Sequence, residues 1–343
     1  MSGPPSPRAN PLLLGHESVE SMLAESMRSG RLHHAWLIAG PEGIGKATLA
    51  FRFARRLLAG GTPGEDLALP DTHPTFRRVA AASHADLLTV EREWDEKRKR
   101  MRAGIVVDTA RRIPPFLQLT PAEGGWRVVV IDGAEHLNRA SANALLKILE
   151  EPPPRAVLLL VCSAVGAMLP TIRSRCRRLD LAPLPEATVA TLLRRYAPDL
   201  AEGDAERIAM LADGSIGRAL DLTGRGAIGY AGLVDEVLAD IAALDVARAH
   251  EVADKLGRDD DAFATFMELL AAAIAAAVRE AARGRADPEQ ARLLGARPLS
   301  AWIDLWHALR RLQDETEGAY LDKRQAVVSG LRMLATGVAP PGR

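Results

Sequence analysis

Cysteine is nearly missing from this chain: only Cys162 and Cys176 occur among 343 residues. Two thiols exclude a disulfide framework and a four-thiolate zinc site, and a reducing cytoplasm is the expected compartment. Net charge is missing too, since 44 Lys and Arg balance 44 Asp and Glu. No global field therefore draws the chain onto phosphate backbones or anionic lipid, and any DNA contact must be local or shared with partners. Residues 1–10 are rich in Ser, Pro and Gly and lack the apolar stretch of a signal peptide, and the longest apolar run, 269–278, is too short to span a bilayer. Neither secretion nor membrane insertion is expected. What remains is ordinary globular usage, 48% hydrophobic and 26% charged, at a length that suits roughly two to three domains.

Periodicity organises the rest. Residues 17–27 have helical spacing, and 34–39 read as a short buried strand running into Gly40 and Pro41. A helix over 46–58 follows, with Leu49, Phe53 and Leu57 on one face, and 60–74 is then a polar loop rich in Pro and Gly. Residues 86–90 and 105–107 are short strand candidates. The stretch between them, 91–102, is dense in both charge signs and reads as a solvated helix or loop with no function of its own. A helix is expected over 108–119, interrupted by Pro114 and Pro115. Residues 128–132 and 157–162 are continuous apolar runs with β-branched content, the pattern of strands covered on both faces. The helix between them, 141–150, stops at Pro152, Pro153 and Pro154. Strands alternating with helices over 30–182 predict a parallel α/β sheet.

Beyond Pro183 the strand signals stop. Residues 186–196, 205–211 and 215–222 form short helices closed by a Gly-rich hinge at 223–226. Three amphipathic stripes then follow: Phe263, Phe266, Leu270, Ile274 and Val278; Trp302, Leu305, Trp306, Leu309 and Leu312; and Val328, Leu331 and Leu334. These are core positions first, though a helical domain with several stripes also has faces to offer to neighbouring chains.

Residues 40–46, Gly-Pro-Glu-Gly-Ile-Gly-Lys, fit a P-loop placed where it must be, after a strand and before a helix. In such a loop Gly40, Gly43 and Gly45 let backbone N–H groups turn toward phosphates, the helix N-terminus adds its dipole, and Lys46 reaches the β- and γ-phosphates. The next position should carry a hydroxyl for Mg²⁺, yet it is Ala47, and Thr48 lies about a hundred degrees of helix further round. Asp132 ends its apolar strand where Mg²⁺-phosphate would sit. A hydrolysing site also needs a carboxylate beside it to orient water, but residue 133 is glycine, and Glu135 reads as a cap on the following turn. Gly40, Gly43, Gly45, Lys46, Thr48 and Asp132 thus make a degenerate nucleotide site. It is either a retired phosphate loop that only shapes a turn, or one that binds ATP with little or no turnover. No metal ligand set is assigned.

Together with residues 143–153 (Asn-Ala-Leu-Leu-Lys-Ile-Leu-Glu-Glu-Pro-Pro) and Ser174-Arg175-Cys176, these motifs resemble bacterial clamp-loader subunits of the AAA+ superfamily. Residues 30–35 and 119–126 extend the resemblance, which covers most of 30–222; the helical tail matches only in character. The resemblance implies an α/β AAA+ P-loop core over 30–182, preceded by an N-terminal segment and leading helix over 1–29. It further implies a small helical lid over 183–225 and an all-α collar over 226–343 through which subunits assemble. The implied partners are motor subunits (gamma or tau) and a delta subunit in a hetero-oligomeric ring, a sliding clamp, and primer-template DNA reached through the complex. Arg175 inherits the role of an arginine finger in the ATP site of the adjacent subunit, where a fixed planar cation stabilises charge on the γ-phosphate. Without the resemblance, Arg173, Arg175, Arg177 and Arg178 read as a solvated basic edge.

The chain departs from the family's motor at four points. It has Ala47 and Gly133, it has no cysteines over 60–74 for a zinc module, and Gly217 stands where an arginine is expected, with Arg218 one place late. These losses fit a rigid, non-hydrolysing subunit of the family, linked to polymerase activity by membership, since no nucleotidyl-transfer carboxylate set is visible. Two other readings stay open. One is an active AAA+ ATPase motor using Lys46 and Asp132 with Thr48 rescuing the metal site, and the other is a scaffold with no link to replication.

Overall fold

The computed structural model describes residues 4–337 apart from 61–65, 97–98, 124, 202, 242–243, 257–259 and 296. Residues 1–3 of the Ser/Pro-rich start, 61–65 of the expected loop and 97–98 of the charged stretch lie outside the described residues. The chain divides into two compact units, Met1–Tyr196 with Asp213–Arg218, and Ala197–Ala212 with Ala219–Arg343.

In the first unit the chain runs α1 (Glu17–Arg28), β1 (Ala35–Ala39), α2 (Lys46–Ala59), α3 (Pro74–Ala80), β2 (Leu87–Val90), β3 (Trp94–Asp95) and β4 (Arg100–Met101). It continues through α4 (Val107–Ala110), α5 (Ile113–Gln118), β5 (Arg127–Asp132), α6 (Arg139–Glu150), β6 (Ala156–Cys162), α7 (Pro170–Arg173), β7 (Arg177–Asp180) and α8 (Glu186–Tyr196). Five strands form one parallel sheet in the order β2-β5-β6-β1-β7, and β3 pairs with β4 as a separate antiparallel hairpin. The central strands β1 and β6 are apolar at every position, and β5 is so from Val128 to Ile131, because both faces are covered. Along β5, Val128 and Val130 enter one core with Trp36, Leu49 and Phe53, while Val129 and Ile131 enter the other with Leu145, Leu149 and Ile172. The register aligns Ala39 with Cys162 and Asp132 with Val161, so β1, β5 and β6 end level at one edge of the sheet.

Local chemistry sets the helix limits. Asn138 accepts a hydrogen bond from Ser141 N at 2.8 Å and so caps α6, a device worth about 1 kcal/mol. Two expectations are corrected here. Residues 105–107 form no strand: Ile105 makes a single bridge to Leu137, and Val107 already opens α4. The helix expected over 108–119 is two, because Pro114 and Pro115, which lack N–H groups, sit in the first turn of α5, where that loss is harmless.

The second unit is helical: α9 (Asp204–Leu211), α10 (Ile216–Gly224, entered from the first unit), α11 (Ala227–Ala239), α12 (Val246–Leu256), α13 (Asp260–Ala282), α14 (Pro288–Leu294), α15 (Leu299–Gly318) and α16 (Lys323–Thr336). Phe263, Phe266, Leu270, Ile274, Trp302, Leu305, Leu309, Val328, Leu331 and Leu334 are buried and Val278, Trp306 and Leu312 only partly so, so most of each stripe builds the interior, with α13 against α11 and α15, and α12 against α16. By length and composition 261–282 could cross a bilayer, but most of its apolar window is buried inside the unit, as in a core helix.

Candidate functional site

The P-loop opens from the buried end of β1. Gly43 has φ +74°, and a Cβ there would overlap Ser215 Oγ, so only glycine suits the position. The pressing segment is 213–218. Ser215 Oγ donates to Glu42 O at 2.8 Å, and Gly217 N donates to Gly43 O at 2.9 Å. A Cβ on Gly217 would lie 2.8 Å from Gly43 Cα. Glycine at 217 is therefore the condition for this clasp, and any side chain there, an arginine included, meets the loop's backbone. The sequence marked the missing arginine at 217; it did not reveal the contact that glycine permits.

Lys46 is buried in the first turn of α2, and its ammonium donates to Pro41 O, within its own loop. Burial pulls its pKa down, opposed by Glu135, Glu42 and Asp132. Asp132 acts on the loop from two strands away, with β6 between β5 and β1. Burial raises its pKa, Glu91 adds to the rise, and Lys46 resists it. Ala47 packs on the core, and Thr48 beside it is buried. Gly40 donates from its N–H to Cys162 O at 3.3 Å, and Gly45, the residue before α2, is left-handed. Burial, with the carboxylate of Glu135 second, pushes the Cys162 thiol up to about 11.

Glu135 does not cap the turn that follows it. Its Oε1 accepts from Ser163 N at 2.9 Å, tying the chain after β5 to the chain after β6, while Oε2 is buried without a hydrogen-bond partner. Lys46, Asp132 and Glu135 thus gather at one edge of the sheet. Their spacing in sequence hides the last of them, because the partner of Glu135 arrives through strand order and not through local periodicity.

Arg175 occupies a different corner. It follows α7 and precedes β7, whose first residue, Arg177, pairs with Trp36 near the start of β1. Because β1 and β7 are parallel, Arg175 lies at the edge where strands begin, and the P-loop at the edge where they end. The four-residue step from Trp36 to Gly40 is about 13 Å of strand. The guanidinium is about one-third exposed, donating from Nη2 to Glu150 Oε1 at 2.6 Å and from Nη1 to Thr171 O at 3.0 Å. Its neighbours are otherwise engaged: Arg177 lies 5.0 Å over the Trp36 ring, and Arg178 pairs with Asp180 at 2.7 Å. Burial pushes the adjacent Cys176 thiol up to about 12. The end of α6 and the Ser-Arg-Cys turn, separate motifs in sequence, thus meet through one ion pair.

A parallel sheet of this order, with a P-loop after one strand and an acidic strand end two places away, defines an AAA+ P-loop core followed by a helical part. Residues 15–185 match a family described as DNA polymerase III, delta subunit. By that match across about half its length and by its relatives, the chain belongs to the DNA polymerase III clamp-loader subunits, a family with delta', gamma and tau members. DNA polymerase III subunit delta' of Pseudomonas aeruginosa is 39% identical over 199 residues, 56% of each chain. DNA polymerase III subunit tau of Escherichia coli is 32% identical over 218 residues, 62% of this chain and 32% of the relative. The matched segment thus spans about half of the first relative and a third of the second. Among solved structures, a DNA polymerase III gamma subunit-related protein of Thermotoga maritima aligns over 94% of this chain and 99% of its own at 16% identity, with a TM-score of 0.48.

Proposed function

We propose that this chain is a delta-prime-type subunit of a bacterial clamp loader, which completes a neighbour's ATP site with Arg175 and does not turn over ATP itself. The observation that carries this reading is the separation of Arg175 from its own P-loop. A finger at the strand-start edge is ill placed to serve Lys46 and Asp132, yet its guanidinium is about one-third exposed, where a second subunit could reach it. The state of the P-loop agrees: the lysine is spent on Pro41 O, the metal-binding hydroxyl is replaced by Ala47, and segment 213–218 is clasped to the loop. The partners are gamma or tau motor subunits and a delta subunit, and the ring they form in the cytoplasm loads a sliding clamp on primer-template DNA. The regions 183–225 and 226–343 act as lid and collar in that assembly.

Arg175→Ala tests the reading in the reconstituted loader. Clamp- and DNA-stimulated ATPase is expected to fall at least tenfold, since trans arginines supply about 10³-fold or more in related phosphoryl transfers, while ring assembly is retained. Unchanged turnover in a fully assembled ring rejects the finger. One observation favours a motor as the second reading: the buried, unpartnered Oε2 of Glu135 shares an edge with Lys46 and Asp132, and could serve as the missing carboxylate. Magnesium-dependent hydrolysis by the pure chain, lost in Lys46→Ala, would establish that alternative.

A further inference from the structure

His84 lies in the turn between α3 and β2, and its side chain is 1% exposed. Its Nδ1 accepts a hydrogen bond from Asp86 N at 3.2 Å. A nitrogen that accepts carries no proton, so the ring is neutral and its one proton sits on Nε2. That Nε2 is buried without a hydrogen-bond partner, and the carboxylate facing it, Glu123 Oε1, is 3.8 Å away. Burial pulls the His84 pKa below its ordinary 6.5; Glu123 opposes the shift, Arg78 adds to it and Asp86 opposes it. From α3, Arg78 donates to both oxygens of Glu123, to Oε2 at 2.9 Å. On the other side Asp86, almost wholly buried, accepts from Ala122 N at 2.8 Å and from Glu123 N at 3.1 Å, and lies 3.3 Å from Arg127 Nη2. The same Nη2 donates to Thr120 O at 2.7 Å. Segment 120–123 thus hangs on the residue whose own N–H is held by His84. The turn itself carries Ala82 at φ 53°, a left-handed backbone disfavoured for a residue with a Cβ. Such a turn persists only while its surroundings hold it.

From this arrangement we propose that His84 is an acid-released latch: when its Nδ1 takes up a proton from solvent the bond from Asp86 N is lost, and segment 120–123 loosens from Asp86 while the sheet stays folded. Two N–H groups then point at each other. The imidazolium is repelled by Arg78 and drawn to the carboxylate that Arg78 already holds, so it gains no partner without breaking that pair. Between the folded pKa and 6.5 the closed latch binds fewer protons than the open one. Its stability is therefore complete above 6.5 and is lost as pH falls through that window. The latch involves neither Arg175 nor the P-loop, and the pure full-length chain tests it without a loader.

The first readout is NMR of the full chain with its histidines carbon-labelled at Cε1. The resonance absent from His84→Asn is that of His84, and its midpoint is expected below 6.5. The second is amide exchange of residues 120–123, corrected for the intrinsic effect of pH. Opening is expected to rise several-fold between about pH 7.5 and about pH 5.5, with about tenfold the ceiling for one proton, while β5 keeps its protection. Asparagine offers an oxygen where Nδ1 stood and does not titrate, so His84→Asn should hold the segment with no such rise. Glu123→Gln removes the carboxylate facing Nε2 and should lower the midpoint further. Should His84→Asn fail to fold, the resonance whose midpoint Glu123→Gln lowers identifies His84. A midpoint at or above 6.5, one unmoved by Glu123→Gln, or no rise in opening by the parent chain would overturn the proposal. So would an equal rise in His84→Asn, which assigns the dependence to the carboxylates of Glu123 and Asp86, or exchange of β5 in step with residues 120–123, which marks unfolding of the sheet.

Discussion

The P-loop edge and the Arg175 corner differ in how firmly they are held. At the first, a loop built for an outside anion is closed by the chain's own groups: Pro41 O takes the lysine, and Ser215 and Gly217 hold the carbonyls of Glu42 and Gly43. At the second, a cation is held by one carboxylate and one carbonyl, about one-third exposed. A loop whose lysine and two carbonyls are held by the chain's own groups resists change. A half-exposed ion pair costs little to break, so a competing anion can take the guanidinium without disturbing the fold.

The largest effect should come from filling the clasp. Gly43→Ala places a Cβ against Ser215 Oγ at a left-handed φ of +74°. About 3 kcal/mol is expected from overpacking and backbone strain together, read as loss of midpoint in urea unfolding of the α/β unit. Gly217→Ala presses on the same contact from the other side, with its Cβ 2.8 Å from Gly43 Cα; about 2 kcal/mol is expected. The double variant should cost clearly less than the two losses added, because one displacement of the segment relieves both. Strict additivity would mean that the two glycines act separately and that no clasp exists.

How much of this was legible follows from where each signal comes from. The central strands β1, β5 and β6 could be read directly, because burial on both faces forces continuous apolar runs. Strand β7, Arg-Arg-Leu-Asp, could not: Leu179 is its one buried residue, and its place in the sheet comes from pairing with β1. Ile105 to Val107 gave a false strand because β-branched residues also suit the extended approach to a helix. The prolines at 114 and 115 were visible as a break, but the restart of a helix on them required the three-dimensional path. At the site, the P-loop glycines and Lys46 were legible from spacing, whereas the bonds Glu135–Ser163, Ser215–Glu42 and Arg175–Glu150 join segments far apart in sequence. No local period carries such information.

A smaller and opposite effect is expected at Asp132. Its pKa is raised, chiefly by burial, above the ordinary value of 3.8. Between that value and the folded pKa, the native state binds more protons than the unfolded chain, so stability falls as pH rises through the window. Above the folded pKa the cost is complete. Asp132→Asn keeps the shape and removes the charge, and its Tm should exceed the parent's modestly at pH 7 and converge with it at pH values below the carboxylate range. A lower Tm at pH 7 would show that attraction to Lys46 outweighs burial, and the P-loop edge would then be tied by charge as well as by shape.

The smallest change in stability is expected at the other corner. Glu150 is half exposed, and its partner Arg175 is about one-third exposed, so solvent and salt screen most of their attraction. Glu150→Ala should alter unfolding free energy by less than about 1 kcal/mol. Its consequence lies in orientation: without the carboxylate the guanidinium keeps only its bonds to the turn, and it samples more directions. If Arg175 is the finger, Glu150→Ala should lower turnover in the assembled ring by a few fold, well short of the loss in Arg175→Ala, with the deficit in kcat and not in KM. Equal turnover in Glu150→Ala and the parent, alongside a large loss in Arg175→Ala, would mean that the neighbour alone orients the guanidinium. A loss of several kcal/mol in stability would instead make the pair a structural tie, and erase the contrast with the P-loop edge.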